Sequence, residues 1–303
     1  MKNKYLIIPI IILSIVAIFS SFSHETTFLK ENEDENIEIT LKDSESNEIK
    51  DIDLEEYLIG VLAGEMPASF EIEALKAQAV AARSYALYKM NTTTTDYDIL
   101  SDITNQVYIT ESDMKEKWGE DFEYYYNKIK MSVDATKDLV MTYDGEVISA
   151  YYFSMSNGYT EDVSSVFGEA KDYLVSVDSS WDKTLKNFTV TTTFTKEDFC
   201  NKLSIDCSNI TINEINRSET NRVDNIQVNN KTFKGTEFRT LLGLRSTDFQ
   251  IAIANDITIT TNGYGHGVGM SQYGANEMAK EGKTYEEILK YYYKNVELEK
   301  INV

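Results

Sequence analysis

The chain has 303 residues, 12% of them aromatic and only two of them prolines, and its 50 acidic against 29 basic residues give a formal net charge of −21. So many aromatic residues exclude a disordered chain, and ~250 residues are enough for one large or two small domains. The charge excludes a phosphate-backbone partner, so no nucleic acid is expected, and acidity spread this generally marks solubility more than a site.

Lys2 and Lys4 precede an apolar run from Tyr5 to Phe22 that contains only Pro9 and a few serines. About eighteen such residues just cross a bilayer core as a helix, and lysines before the run keep that end in the cytoplasm. Residues 1–23 are therefore expected to be a single-pass anchor in the cell membrane, with the C-terminal part extracytoplasmic. The rival reading is a cleaved signal peptide, for which Ser20, Ser21 and Ser23 imitate the small-residue site. Residues 24–50 read as an acidic tether with one early strand at Ile37, Ile39 and Leu41. Residues 51–303 read as the working region, in one piece or as two lobes with 189–261 the smaller.

Asp53, with Glu56 three residues on, is a capping-box pattern that predicts a helix over 54–62. Gly64 and Pro67 should break it, leaving Glu65 in a constrained turn before a second helix over 70–90, where Ile72, Leu75, Ala79, Ala82 and Ala86 recur at helical spacing. Residues 92–96 read as a loop, 113–130 as a helix and 139–155 as a hairpin turning at Asp144-Gly145. Strand alternation marks 188–194, 210–215, 223–233 and 249–260, with short helices at 195–203 and 236–242. Helices at 271–281 and 284–293 close the chain, the second opened by a Thr284–Glu287 capping box. Mixed order of this kind predicts an elongated α+β fold of helices and antiparallel strands, not a doubly wound sheet.

Cys200 and Cys207 either close a small loop, worth ~2–3 kcal/mol on the chain-entropy model, or remain buried thiols. They are not expected to hold a metal, because the chain's histidines are His24 and His266 alone and no ligand spacing accompanies the pair.

Three segments carry chemistry. The first is Glu65-Met66, followed by Gln78, Arg83, Ser84 and Tyr85 on the alanine-rich helix. A carboxyl group among apolar neighbours keeps its proton toward neutral pH, which suits a general acid. The plainer reading is a solvated helix-terminal Glu, although Arg83 on a small-residue face must pair with a carboxylate or reach into a cleft. The second segment runs from Asn262 to Gly274. Its alternate glycines let backbone approach a ligand and place Tyr264 and His266 on a loop that leads into Gln272 and Tyr273 at a helix start. No Gly-Lys-Ser/Thr ending follows and no Rossmann unit surrounds it, so it is not a nucleotide loop. In the third, Ala150 to Glu161, tyrosines stand beside Ser154 and Ser156, as a carbohydrate groove needs, although an ordinary strand and turn has the same composition.

Glu65-Met66-Pro67, the run Glu-Ala-Leu-Lys-Ala-Gln-Ala-Val-Ala-Ala-Arg-Ser-Tyr-Ala over 73–86 and the run Gly-His-Gly-Val-Gly-Met-Ser-Gln-Tyr-Gly-Ala over 265–275 closely resemble the stage II sporulation protein D family. Thr104-Asn105-Gln106-Val107-Tyr108, the turn at 154–160 and Tyr173-Leu174-Val175-Ser176-Val177-Asp178 match it in order, and the resemblance spans about 37–293. It implies a sporulation lytic transglycosylase, acting in engulfment, that cuts the MurNAc–GlcNAc bond of peptidoglycan and leaves 1,6-anhydroMurNAc ends. Glu65 matches the catalytic glutamate. Met66, Gln78, Arg83, Ser84, Tyr85, Gln106, Tyr108, Ser154, Ser156, Tyr264, His266, Gln272 and Tyr273 are the candidate substrate contacts. The partners implied are glycan strands, a peptidoglycan amidase and membrane proteins of an engulfment complex. The alternative is a non-catalytic wall-binding amidase modifier, since the same domain occurs in such proteins. Two departures stand out. Some members carry cysteine and histidine zinc ligands just before Gln-Val-Tyr; residues 100–106 contain neither, so no metal or other cofactor is expected. Histidine and glycine, common in other members, are replaced by Phe153 and Asn157.

Overall fold

In the computed structural model, which describes residues 36–301, the chain enters the fold at Ile37. The anchor expected at 1–23 and the first part of the tether lie outside the described residues. Among those described, no helix is long and apolar enough to cross a membrane. β1 (Glu38–Lys42) falls within the stretch read as tether. Its period of two buries Ile39 and Leu41 while it pairs antiparallel with β2 (Ile49–Asp53).

α1 (Leu54–Glu65) starts on Asp53, whose carboxylate accepts from Glu56 N at 2.9 Å. It runs three residues past the predicted end, so Glu65 closes the helix instead of sitting in a turn. Met66 N still bonds Leu62 O at 3.1 Å, and only Pro67, which has no N–H, stops the ladder. α2 (Ile72–Thr92) is buried through most of its length, its alanines letting neighbours approach on every side. β3 (Ile99–Leu100) joins β1 in parallel. The single helix predicted over 113–130 is two, α3 (Glu111–Trp118) and α4 (Phe122–Asp134), parted by a 3-10 turn that begins at Gly119 with φ +52°.

β4 (Leu139–Tyr143) and β5 (Glu146–Val147) make the expected hairpin, with Asp144 and Gly145 both at positive φ. It is shorter than predicted, because β6 (Tyr152–Phe153) leaves it and α5 (Val163–Phe167) follows. Next come β7 (Thr189–Phe194), α6 (Lys196–Leu203), β8 (Ile212–Arg217), β9 (Val223–Val228), β10 (Lys231–Lys234), α7 (Gly235–Leu242), β11 (Phe249–Ile253) and β12 (Ile257–Asn262). These form two three-stranded sheets, ordered β10-β9-β8 and β11-β12-β7, over an apolar cluster of their own that includes Phe199, Phe233, Phe238 and Phe249. Cys200 and Cys207 are joined as a disulfide beside this cluster. β13 (Met270–Ser271) then pairs in parallel with β6, α8 (Gln272–Lys280) and α9 (Tyr285–Tyr292) pack on α2, and β14 (Glu297–Lys300) covers the free edge of β4. The capping box at Thr284 and Glu287 forms as predicted. The result is a mixed α+β fold whose strand pairs are antiparallel apart from β1–β3 and β6–β13 among the described residues.

Candidate active site

The site is built on two glycines one helical turn apart. A Cβ on Gly60 would lie 2.3 Å from the Tyr108 ring, and one on Gly64 would lie 2.5 Å from Val107 O. Their absence cuts a groove into α1 in which residues 107–109 lie, tied by Ile109 N to Gly60 O at 3.3 Å. The groove brings Val107 N to 2.7 Å from Glu65 Oε1, to which it donates. Burial raises the Glu65 carboxyl to about 7, while the Val107 N–H and the facing side chain of Gln272 favour the charged form.

Three tyrosines surround this acid. Tyr57, Tyr85 and Tyr152 are all pushed up by burial first and also by the charge of Glu65, Tyr85 to about 12. Their hydroxyls therefore stay neutral. Gln106, fully buried, holds two of them: its Oε1 accepts from Tyr57 OH at 3.0 Å, and its Nε2 donates to Tyr152 OH at 2.9 Å and to Ala82 O at 3.3 Å. Tyr108 stacks on Tyr57 with 5.7 Å between centroids.

From Tyr85 an aromatic strip leads outward, to Tyr151 at 5.8 Å and on to Phe167 at 4.8 Å, which is 48% exposed. His266 meets this strip edge-on, 5.5 Å from Phe167 and 6.1 Å from Tyr151, with Phe153 at 5.7 Å. Its Nδ1 accepts from Val268 N at 3.0 Å, which assigns the proton to Nε2. Burial, with the charges of Arg239 and Arg222, lowers it to about 3, against an opposing contact with the Tyr152 backbone, so the imidazole is neutral at pH 7. The loop reaches this place because Gly269, at φ +79°, lies where a Cβ would be 1.9 Å from Tyr151 O. Behind the loop, Arg222 and Glu161 form a buried pair, Nε to Oε1 at 3.4 Å. Arg222 Nη1 donates to Gly265 O at 3.4 Å, and Glu161 N to Gly267 O at 2.7 Å. Burial raises Glu161 to about 7 and lowers Arg222 to about 10, each opposed by the other's charge.

Of the residues singled out in the sequence, Tyr85, Gln106 and Gln272 converge on Glu65, with His266 further along the strip. Met66 is buried with Phe70 and Leu75, and Tyr273 closes that cluster with its ring 4.9 Å from Phe70. Arg83 is engaged elsewhere, donating from Nε and Nη2 to Glu55 at 2.7 and 2.6 Å and from Nη1 to Leu139 O at 3.0 Å. Ser84 Oγ donates to Val80 O and accepts from Met141 N, pinning β4 to α2. Gln78 is fully buried, with neither amide atom hydrogen-bonded among the described residues. Ser154 O accepts from Tyr273 N at 3.0 Å, and Ser156 Oγ donates to Ser179 O at 2.6 Å. Tyr264 is 46% exposed beneath the Arg245 guanidinium. At the two departures, Phe153 is buried beside His266, and Asn157 Nδ2 donates to Thr220 O and Asp248 Oδ2. Tyr57 and Phe167 join the site unannounced, whereas Val107, Tyr151 and Tyr152 lie in segments that the sequence singled out without naming them as contacts. A trace of Tyr57 was available, since it lies eight residues before Glu65 and hence on the same helical face.

The residues before Gln106 do not fit a zinc ion. Asp102 Oδ1 accepts from Thr104 N and Asn105 Oδ1 from Leu100 N, both at 2.8 Å, so these side chains close a turn. Among the described residues no three His, Cys, Asp or Glu side chains cluster to hold a metal.

Fold and site together define a mixed α+β protein organised around one half-buried carboxylic acid at the root of an aromatic strip. The family described as stage II sporulation protein matches residues 42–143. Stage II sporulation protein D of Bacillus subtilis (strain 168) is 43% identical over 258 residues, covering 82% of this chain and 75% of that protein. Its counterpart from Bacillus amyloliquefaciens is 41% identical over 261 residues, covering 84% and 76%. The amidase enhancer of Bacillus subtilis (strain 168) is 30% identical over 295 residues, 78% of this chain but 39% of that protein. The chain belongs to the stage II sporulation protein D family, whose place is in sporulation.

Proposed function

We propose that the chain is a lytic transglycosylase that cuts the MurNAc–GlcNAc bond of peptidoglycan during engulfment, leaving 1,6-anhydroMurNAc ends. The observation that carries this reading is Glu65, a carboxyl raised to about 7 with one oxygen held by Val107 N–H. Such a group exists in both protonation states near neutrality and so serves as acid and then as base. Glu65 gives its proton to the leaving O4 as the C1–O4 bond breaks. As carboxylate it takes the proton of the muramoyl C6 hydroxyl, whose oxygen bonds to C1. No water is consumed, and because the nucleophile is internal no second carboxylate is needed to activate one.

The strip of Tyr85, Tyr151 and Phe167 suits stacking against sugar rings, and the hydroxyls of Tyr57 and Tyr152 stay neutral beside the acid. In this reading residues 1–23 anchor the protein in the cell membrane and the folded part works outside, with glycan strands, a peptidoglycan amidase and engulfment membrane proteins as partners. The Cys200–Cys207 disulfide fits an oxidising compartment. A second reading, a non-catalytic wall binder that stimulates an amidase, is favoured by one observation, the 30% identity to the amidase enhancer.

The test is purified soluble protein on isolated, peptide-free glycan strands, with mass analysis of the fragments. Anhydro ends, lighter than hydrolytic ones by one water (~18 Da), are expected. Glu65→Gln should lower turnover by about 10²–10⁴-fold. Water-containing ends would make the protein a hydrolase, and acceleration of an amidase without cleavage would establish the second reading.

A further inference from the structure

Behind the loop that carries His266, the Arg222–Glu161 pair lines a cavity of about 500 Å³. A cavity of this size takes a small molecule or one group of a larger one. Gly235 brings the start of α7 to it: a Cβ there would lie 1.7 Å from Val223 O, so only glycine lets the helix approach the residue that follows Arg222. Lys234, the N-cap of α7, makes no side-chain cap bond, which leaves the first-turn N–H groups uncapped where Lys234 and Thr236 form the cavity wall. Lys234 is exposed, and its ammonium has no partner among the described residues. Ser165 and Ser218 add hydroxyls.

Arg222 is the unusual member of this wall. It is 3% exposed, its Nη1 reaches Gly265 O at 3.4 Å, and its Nε and Nη2 make no hydrogen bond among the described residues. A buried guanidinium with idle donors is costly, and a native structure keeps one where something else completes it. Nε and Nη2 form one edge of the guanidinium fork, so the partner that completes it carries two acceptor oxygens. Glu161 Oε1 stands 3.4 Å from Nε without hydrogen-bonding it, and burial first, with Asp224 and Asp162 adding to it, holds that carboxyl up at about 7. It therefore gives up its charge readily when a second anion arrives. Asp224, the other carboxylate in the wall, is exposed. The cavity adjoins the aromatic strip through α5: Ser165 and Val166 line the one, and Phe167 ends the other.

We propose that this cavity is a subsite for a carboxylate on the substrate strand, held by Arg222, Lys234 and the N-terminus of α7. The proposal rests on the glycan reading given above. A muramoyl residue bears one carboxyl group, on its lactyl ether, free when no peptide is attached; a stem peptide bears its own. The carboxyl groups already in the wall limit the charge the cavity accepts, so a single carboxylate fits where a phosphate monoester, at about −2, does not.

Calorimetry tests this with the full chain carrying Glu65→Gln and three preparations: peptide-free strands, the same strands with lactyl carboxylates converted to methylamides, and strands that retain stem peptides. Peptide-free strands should bind about ten- to a hundredfold more tightly than the methylamides, as a charge-assisted pair provides. Lys234→Ala, a change at an exposed side chain, should weaken binding of the peptide-free strands by about two- to fivefold and leave the methylamides unaffected. Arg222→Lys keeps the charge but loses the fork, and should remove about tenfold or more of the preference. Lys290→Ala removes a charge outside the cavity and should leave the preference intact. Equal binding of charged and methylamide strands, or equal losses in Lys234→Ala and Lys290→Ala, would overturn the proposal. If Arg222→Lys does not fold, the strand chemistry and Lys234→Ala decide alone. Stem-peptide strands that bind like the methylamides place the carboxylate on the lactyl ether. Binding as tight as that of peptide-free strands, and weakened by Lys234→Ala, places it on the peptide. Cleavage by wild type separates the failures. A protein that cuts nothing yet keeps the preference sinks only the transglycosylase reading, whereas one that cuts normally without the preference sinks only the cavity.

Discussion

His266 and Arg83 are single residues whose surroundings decide between roles that composition left open. The imidazole, lowered to about 3, carries no charge in the working range and contributes its Nε2–H and an edge on the aromatic strip. His266→Ala is therefore expected to cut glycan cleavage by about tenfold or more while leaving the pH limb of Glu65 in place; a limb displaced in this variant would make His266 part of the proton chemistry. Arg83 was required by its small-residue face to find a carboxylate or a cleft, and Glu55, on the neighbouring helix, supplies the carboxylate. Arg83→Ala should lower stability by about 3 kcal/mol, read in urea unfolding, and leave activity per folded molecule close to wild type. Glu65 itself was legible through Glu65-Met66-Pro67, which matches the family's motif, since the constrained turn read around it is in fact the end of α1. Val107 was not legible, because its only contribution is a backbone N–H brought in from a distant segment.

The element that shapes the site is α1, through the groove at Gly60 and Gly64. Gly64→Ala forces a Cβ against Val107 O, so the 107–109 segment must move away from the helix and take its N–H off Glu65. The expected result is a loss of about 1–3 kcal/mol in thermal or urea unfolding together with an alkaline limb at higher pH. A normal limb in a destabilised variant would separate groove packing from the acid. Helix starts were legible from their caps at Asp53 and Thr284. Ends were less so: α1 outran its glycine, since a backbone packed over Gly64 keeps the ladder intact to Met66 N. Two hairpins read as single strands because no glycine marks them; Asn229 takes the positive φ at one turn, and Ala254 to Asp256 close the other. The parallel contact of β6 with β13 left no sequence trace, because pairing between segments so far apart is decided by packing.

For the molecule as a whole, three carboxyl groups, Glu65 and Glu161 at about 7 and Asp182 at about 6, lie above their ordinary values through burial. Each binds its proton more tightly folded than unfolded. Their stabilisation is therefore complete below the ordinary carboxylate range and is lost as pH rises through 6 to 7. Asp43 and Asp113, lowered by hydrogen bonds, act with the opposite sign but only at still lower pH. The melting temperature is expected to be higher at pH 5 than at pH 8 by on the order of 5 °C, with calorimetry as the check. Asp182→Asn and Glu161→Gln should each flatten the slope, and a protein equally stable at both pH values would show that these groups are not buried as described. The −21 net charge, partly neutralised by acid, works in the same direction.

The pairing of Tyr152 with Met270 also has a bearing on time. All of β7 to β12, with the cluster around Phe238, lies in the chain between those two residues. Closing so long a loop while it is still unfolded is entropically costly, and most of that entropy is already lost once the intervening segment has its own core. The segment carrying His266 and Gln272 is thus expected to dock during refolding only after the intervening sheets are in place. Catalytic competence would then lag behind the return of secondary structure, and a chain released early would expose the Glu65 groove without its far wall.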